Sequence, residues 1–227
     1  MKTFQYSSLL LLVFTLASCT EPIVRDEPAT GNEIVSLGFY GLSDASLNFS
    51  PYFEKSTLIF IDEAGTEYEW RMLQPIVNDA FSFQRTFPNP VRAGFVDYKY
   101  AGERTVFDFT SIDLGAKLEI SLEPDFCSDP RLNDDIPPIN HLNIRGVGFN
   151  DGDVAITAPV LSIATDNNEP CRGRSLGDVQ LGDRLFMNVT SDRMDLGDRF
   201  LELYYTPDEG LVGIRTTYMF LTLKEAF

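Results

Sequence analysis

The only histidine in the 227-residue chain is His141, so a catalytic triad that uses a histidine base has to use this one. Around it, Leu142 and Ile144 alternate with His141, Asn143 and Arg145. This alternation predicts a strand whose polar face, turned to solvent or to the rim of a pocket, carries the histidine. A Gly-x-Ser-x-Gly pattern, which often holds a serine nucleophile, occurs at 173–177, but no helix is predicted after it, whereas such a nucleophile stands at a turn from a strand into a helix. We therefore expect a protein that is not an enzyme.

The 34 acidic residues offer many pairs of carboxylates. A glycosidase needs two of them about 5–10 Å apart across a cleft. Spacing along the chain does not identify which pairs meet, so a carboxylate-dependent hydrolase stays open as the least favoured hypothesis.

Two oxygen-rich loops are candidates for a calcium site. The first contains Asn150, Asp151 and Asp153, and the second contains Asp166 and Asn168. Ca²⁺ takes six to eight oxygen ligands, and such loops supply some of them, although neither matches an EF-hand. The simpler interpretation is a pair of turns in which Asn, Asp and Gly bond to their own backbone. We expect no cofactor, with calcium as the alternative.

Tyr204 and Tyr205 are candidates for ligand binding. Adjacent residues of a strand point to opposite faces, so one of the two rings is expected to face outward. An outward ring could stack on the C–H face of a sugar. The alternative is that these rings belong to the core, as most aromatic residues on alternating strands do.

Cys127 and Cys171 are expected to form a disulfide. They are the two cysteines left in the chain besides Cys19, and both lie in segments rich in Pro, Asp and Asn that are typical of loops. Closing a loop of this length stabilises a fold by about 3–4 kcal/mol in the chain-entropy model. Reactive thiols or metal ligands are the alternative, which no Cys-x-x-Cys or Cys/His spacing supports.

The N-terminus is typical of a secretory signal, with Lys2, an apolar run over 9–14 and small residues before Cys19. Residues 16–19, Leu-Ala-Ser-Cys, resemble the lipobox of bacterial lipoproteins. The resemblance implies cleavage after residue 18 and a lipid on Cys19 that holds the protein to a membrane. Thr20 stands where aspartate would imply inner-membrane retention, so the resemblance favours the outer membrane without fixing its face.

Three regions follow from this pattern: a lipoprotein signal peptide (1–18), a lipidated flexible tether (19–33) and a single β-sandwich-like domain (34–227). The tether is polar, with two prolines and a glycine. The formal net charge of −16 repels phosphate backbones, so we expect no nucleic-acid partner.

Short segments of alternating polarity, separated by Gly, Pro and Asp turns, predict many strands from residue 34 onward. Two hairpins are predicted, 57–61 with 67–73 and 95–100 with 105–112, the second turning at 101–104. Further strands are predicted at 117–123, 141–149, 155–164, 184–190, 200–205, 211–215 and 219–224. The expected fold is all-β, an antiparallel β-sandwich or open barrel with one disulfide between long loops.

Residues 203–214, Leu-Tyr-Tyr-Thr-Pro-Asp-Glu-Gly-Leu-Val-Gly-Ile, resemble the closing hairpin of small uncharacterised lipoproteins from Bacteroidota-type bacteria. The resemblance implies a cell envelope with two membranes and implies no activity. The hypothesis we favour is a membrane-anchored envelope lipoprotein that acts as a non-catalytic binding or assembly module, with an envelope protein or glycan as its partner. A surface glycan- or calcium-binding module is the alternative.

Overall fold

The computed structural model describes residues 24–26, 32–89, 94–128, 137–147, 159–165 and 169–227. Within these residues lie fifteen strands, one α-helix (α1, Asp44–Phe49) and a 3₁₀ helix (Pro51–Phe53). The strands are β1 (Val24–Asp26), β2 (Glu33–Tyr40), β3 (Thr57–Asp62), β4 (Glu67–Met72), β5 (Ile76–Pro88), β6 (Phe95–Ser111), β7 (Ala116–Asp125), β8 (Ile139–Val147), β9 (Leu161–Ala164), β10 (Glu169–Arg172), β11 (Arg174–Leu181), β12 (Arg184–Leu196), β13 (Arg199–Thr206), β14 (Gly210–Thr216) and β15 (Phe220–Ala226).

The strands form one curled sheet whose hydrogen-bonded path runs β10-β9-β8-β7-β6-β4-β3-β15-β14-β13-β12-β11. The two ends of this path, β10 and β11, are consecutive in the chain and joined through Gly173, but the path does not close on itself. All pairings are antiparallel among the described residues except β2 with β6, which is parallel. The predicted all-β class, an antiparallel sandwich or open barrel, is confirmed.

The inner face of the curled sheet forms the main core. On β7 the alternation predicted from the sequence puts Leu118, Ile120 and Leu122 inside, all of them fully buried. Leu201 and Leu203 of β13 belong to the same core cluster. A smaller second cluster contains Val35 of β2 with Val96 and Tyr98 of β6.

The segment that contains α1 and the 3₁₀ helix is fastened to β13 and β14. Ser43 caps α1 by accepting a hydrogen bond from the Ser46 backbone N–H at 3.1 Å. Tyr205 donates to the Phe49 carbonyl at 3.2 Å, and the Tyr52 hydroxyl accepts from the Leu211 backbone N–H at 2.5 Å. These bonds satisfy tyrosine hydroxyls that would otherwise be buried without partners.

The second predicted hairpin is wrong, because β6 runs without a turn through 101–104. Different strands flank its two halves: β5 and β2 pair with the first half, while β7 and β4 pair with the second. Gly102 lies where β2 gives way to β7, and a Cβ there would lie 2.6 Å from Pro124 Cγ and 2.7 Å from the Tyr40 carbonyl oxygen. The glycine that suggested a turn is required for close packing.

Two further differences concern the N-terminal half. Strand β5 was not predicted, because its first seven residues are exposed on both faces and alternation begins only in its second half, from Phe83. Strand β1 pairs with β2, Val24 opposite Ser36, and β2 begins at Glu33, so residues 24–26 and Glu33 of the tether predicted over 19–33 belong to the sheet. The signal peptide and Cys19 lie outside the described residues.

Candidate functional site

The disulfide between Cys127 and Cys171 is confirmed, with a Cα–Cα distance of 4.8 Å. It joins segments that are 44 residues apart. Cys127 follows the end of β7, as expected for a loop residue. Cys171 lies within β10, so the expectation that both cysteines belong to loops is wrong for this one.

His141 is buried, with 1% of its surface exposed, and the predicted position toward solvent or a pocket rim is wrong. Its Nε2 atom lies 3.5 Å from the sulfur of Cys127 and 3.5 Å from that of Cys171. Its Nδ1 atom lies 3.2 Å from Ser162 Oγ on the neighbouring strand β9. Alternation predicted the correct face of β8, but this face is covered.

A network of charges occupies the same outer face of β6, β7 and β8. Glu123 has 3% of its side chain exposed and accepts from Arg104 at 2.8 Å, from Arg145 at 3.0 Å and from the Asn143 amide at 2.8 Å. Glu119 accepts from Arg104 at 2.9 Å and from Arg145 at 2.8 Å. Alternation along the predicted strand 117–123 places Glu123 on the outer face of the sheet. In the structure it lies on that face, where this network buries it.

Strand β5 contributes the third arginine. Arg85 donates two parallel hydrogen bonds of 2.7 Å to the Asp125 carboxylate, which raises the pKa of the guanidinium further above its usual range. Beside it, Tyr100 donates to the Pro124 carbonyl at 3.1 Å, and burial raises the pKa of its phenol. Three arginines thus neutralise the three carboxylates of Glu119, Glu123 and Asp125. The network joins β5, β6, β7 and β8 and leaves no unpaired charge among these six side chains for a ligand.

An open groove of about 960 Å³ adjoins the network between β4, β6 and β7. Leu73, Ile76 and Ile112 line it, and their exposed fractions are 101%, 48% and 88%. Its polar lining includes Glu69, Arg71, Asp108, Lys117 and Glu119. This groove could not be predicted from the sequence, because Leu73 and Ile112 directly follow the ends of β4 and β6, and Ile76 begins the strand that was not predicted.

Asp108 is the groove carboxyl whose pKa is raised. It lies directly opposite Glu119 on the paired strand. Burial, followed by the charge of Glu119, raises the pKa of Asp108 above its usual range. Two like charges opposite each other disfavour ionisation of the less well-paired one.

The tyrosine pair does not form an outward platform. Tyr205 is fully buried and stacks on Phe49 with 6.0 Å between ring centroids. Tyr204 is 8% exposed and lies 5.9 Å from the Phe220 ring, again centroid to centroid. The two rings do point to opposite faces, but β15 and the helical segment cover them, so the prediction that one faces outward is wrong.

The candidate calcium residues Asn150, Asp151, Asp153, Asp166 and Asn168 lie outside the described residues. Within the described ranges, one group of side chains brings three ligand atoms of the metal-binding type together: the sulfurs of Cys127 and Cys171 with His141, all within 4.8 Å of one another.

No family model, curated protein or solved structure matches the chain. None of the helices in the described part of the chain has the length and apolar character needed to span a bilayer.

Proposed function

We propose that the protein is a lipid-anchored lipoprotein of the bacterial outer membrane that binds an envelope protein and does no catalysis. The lipid on Cys19 holds it to the membrane, and the groove between β4, β6 and β7 receives an apolar part of the partner. The signal-like N-terminus with its lipobox supports the anchor. The groove supports the binding.

The exposed aliphatic lining of the groove carries this proposal. Leu73, Ile76 and Ile112 leave apolar surface in water on a chain that otherwise has a charge of −16. Removing such surface from water is favourable by about 25 cal/mol per Å². Apolar patches with a polar rim are typical of protein-binding sites.

The composition of the groove favours a protein over a glycan. Stacking on a sugar needs an exposed aromatic ring, and none of the residues that line the groove is aromatic. Its charged lining mixes both signs, Glu69 and Asp113 with Arg71 and Lys117, which suits the polar rim of a protein interface.

The groove also offers little support for a carboxylate-dependent hydrolase. Such an enzyme needs one carboxyl as acid and a second, free carboxylate as base or nucleophile. Glu119 accepts from both Arg104 and Arg145, and Glu69 accepts from Arg71, so neither of these two groove carboxylates is free.

Site-specific photo-cross-linking in the native membrane tests the proposal. A photoreactive residue at Ile112 should give one defined cross-linked protein, and Leu73→Glu should abolish that product. The matched control is Leu185, an exposed residue of β12 outside the groove (60% exposed), where the photoreactive residue should give no such product and Leu185→Glu should leave the Ile112 product intact.

Two results would contradict the proposal. The first is an Ile112 product that survives Leu73→Glu, since binding would then not involve the groove. The second concerns the anchor: Cys19→Ala should move the protein from the membrane fraction to the soluble fraction, and unchanged membrane association would contradict lipid attachment at this residue.

A further inference from the structure

Cys127, Cys171 and His141 come together at the ends of four neighbouring strands. Strand β7 leads into Cys127, β8 carries His141, and β10 carries Cys171, while β9 between them carries Ser162. We propose that, once the disulfide is reduced, the two thiolates and the imidazole bind one Zn²⁺ ion, with an open fourth position. This inference is independent of the groove.

The distances fit zinc coordination. Zinc–sulfur bonds are about 2.3 Å and zinc–nitrogen bonds about 2.0–2.1 Å, so a tetrahedral site places a nitrogen ligand about 3.5 Å from each sulfur. His141 Nε2 lies 3.5 Å from Cys127 Sγ and 3.5 Å from Cys171 Sγ. The histidine therefore already stands at ligand distance. Only the two sulfurs must move apart, to about 3.8 Å, which rotation of the two cysteine side chains can provide.

The surroundings of His141 hold it in the required orientation. A metal-bound histidine usually engages its other ring nitrogen with a hydrogen-bonding group, which fixes the tautomer. Ser162 Oγ lies 3.2 Å from Nδ1 and can accept a hydrogen bond from a protonated Nδ1. In this tautomer the Nε2 lone pair points at the sulfurs. His141 is 1% exposed, so it has little freedom to rotate away.

Access and ligand type complete the argument. Cys127 is exposed and Cys171 is half-buried, so a reductant and a metal ion can reach the sulfurs from solvent. The same opening leaves room for water as the fourth ligand. Two thiolates and an imidazole select zinc over hard cations such as Ca²⁺, which prefer oxygen.

The chemical steps balance. A dithiol transfers two electrons and two protons to the cystine, which becomes two thiols while the dithiol becomes a disulfide. Zn²⁺ then replaces the two thiol protons, which are released to solvent, and neutral His141 donates its lone pair. Disulfide and zinc site exclude each other, so the oxidised protein, with the same surface carboxylates, is the matched control.

The experiment uses the full chain with Cys19→Ala, so that Cys127 and Cys171 are the only thiols. After reduction with a phosphine and its removal without oxygen, Co²⁺ is added as the spectroscopic probe and then displaced with Zn²⁺. We expect one Co²⁺ per chain, with the intense visible bands of tetrahedral thiolate coordination, in the reduced protein and none of these bands in the oxidised protein.

Two variants separate the site from chance binding by thiols. His141→Gln should lower zinc affinity at least 10-fold, and Ser162→Ala, which keeps all three ligands, should lower it about 10-fold through loss of orientation. Equal Co²⁺ binding by reduced and oxidised protein overturns the proposal. The proposal is also overturned if neither single variant, Ser162→Ala or His141→Gln, changes the zinc affinity. If His141→Gln does not fold, Cys171→Ser takes its place, and tight binding through the single remaining thiol counts against the site.

Discussion

Glu123 accepts hydrogen bonds from Arg104, Arg145 and Asn143, and 3% of its side chain is exposed. Alternation along β7 assigned it to the outer face, which is correct, and an outer face normally meets water. Here Arg104 and Arg145 cover it, and both come from neighbouring strands of the same sheet. The periodicity of one strand does not show that long side chains of the neighbouring strands cover this position.

Replacing Glu123 by alanine should strongly destabilise the fold. The substitution leaves the Asn143 amide without this acceptor and leaves Arg104 and Arg145 with Glu119 as the remaining carboxylate partner, in a site where the Glu123 carboxylate is 3% exposed. Loss of one partner from a buried ion pair costs about 3–5 kcal/mol. Urea denaturation measures the change, and Glu63→Ala, at an exposed turn position, should alter stability by less than about 0.5 kcal/mol. Similar values for the two variants would refute the structural role of the network.

The raised pKa of Asp108 predicts how replacing this residue changes stability at different pH values. Its pKa in the folded protein is raised by burial and by Glu119, so the ionised form is disfavoured in the folded state. The penalty is absent below the usual pKa of aspartate, about 3.9, and develops as the pH rises through that value toward the raised one. Asp108→Asn should therefore be more stable than the unmodified protein at pH 7, and the difference should shrink toward pH 3. Thermal unfolding at both pH values decides; a variant that is less stable at pH 7 would contradict this assignment.

At the scale of the elements, the sequence predicted strands in which apolar and polar residues alternate, such as β4 and β7, and apolar strands that lie between turn residues, such as β13 and β14. Strands β3, β4 and β7 and the closing run β13–β15 were predicted within a few residues of their observed bounds. Strand β6 was split into two because Gly102 resembles a turn residue, and the pairing partners that keep it straight are remote in sequence. The disulfide was predictable from cysteine count, whereas the groove required the positions of three strands.

Replacing Gly102 of β6 by alanine should destabilise the fold. An added methyl group would press on Pro124 and on the Tyr40 carbonyl, both on strands that meet β6 at this point. Overpacking of this kind costs about 1–3 kcal/mol. Gly41→Ala is the matched control, since its Cβ would lie no closer than 3.5 Å to Glu103 Oε2. Equal melting temperatures for the two variants would show that β2 and β7 can move apart without cost.

At the scale of the whole molecule, the disulfide fastens one end of an open sheet. The path ends at β10, and the chain continues through Gly173 into β11, the other end. Cys171 in β10 is bonded to Cys127, two residues after the end of β7. The bridge therefore links the end strand of the path to β7, across β9 and β8. It thereby restrains β10, the strand at the end of the path, which pairs with one neighbour, β9.

Reduction of the disulfide should loosen the open side of the sheet before the rest. The chain-entropy model assigns about 4 kcal/mol to a loop of this length, so the reduced protein should unfold at lower urea concentration. Amide hydrogen exchange should rise most in β10, which loses the restraint directly, and in β11, which follows β10 through Gly173. It should rise least in β13 and β14, which are paired on both edges. The Cys127→Ala/Cys171→Ala variant should reproduce the exchange pattern of the reduced protein. Zn²⁺ should restore protection in the reduced protein and not in this variant, since only the reduced protein retains the two sulfur ligands. An equal response to Zn²⁺ in both would show that zinc does not bind through the two cysteines. Uniform exchange along all strands would show that the bridge stabilises the sheet as a whole.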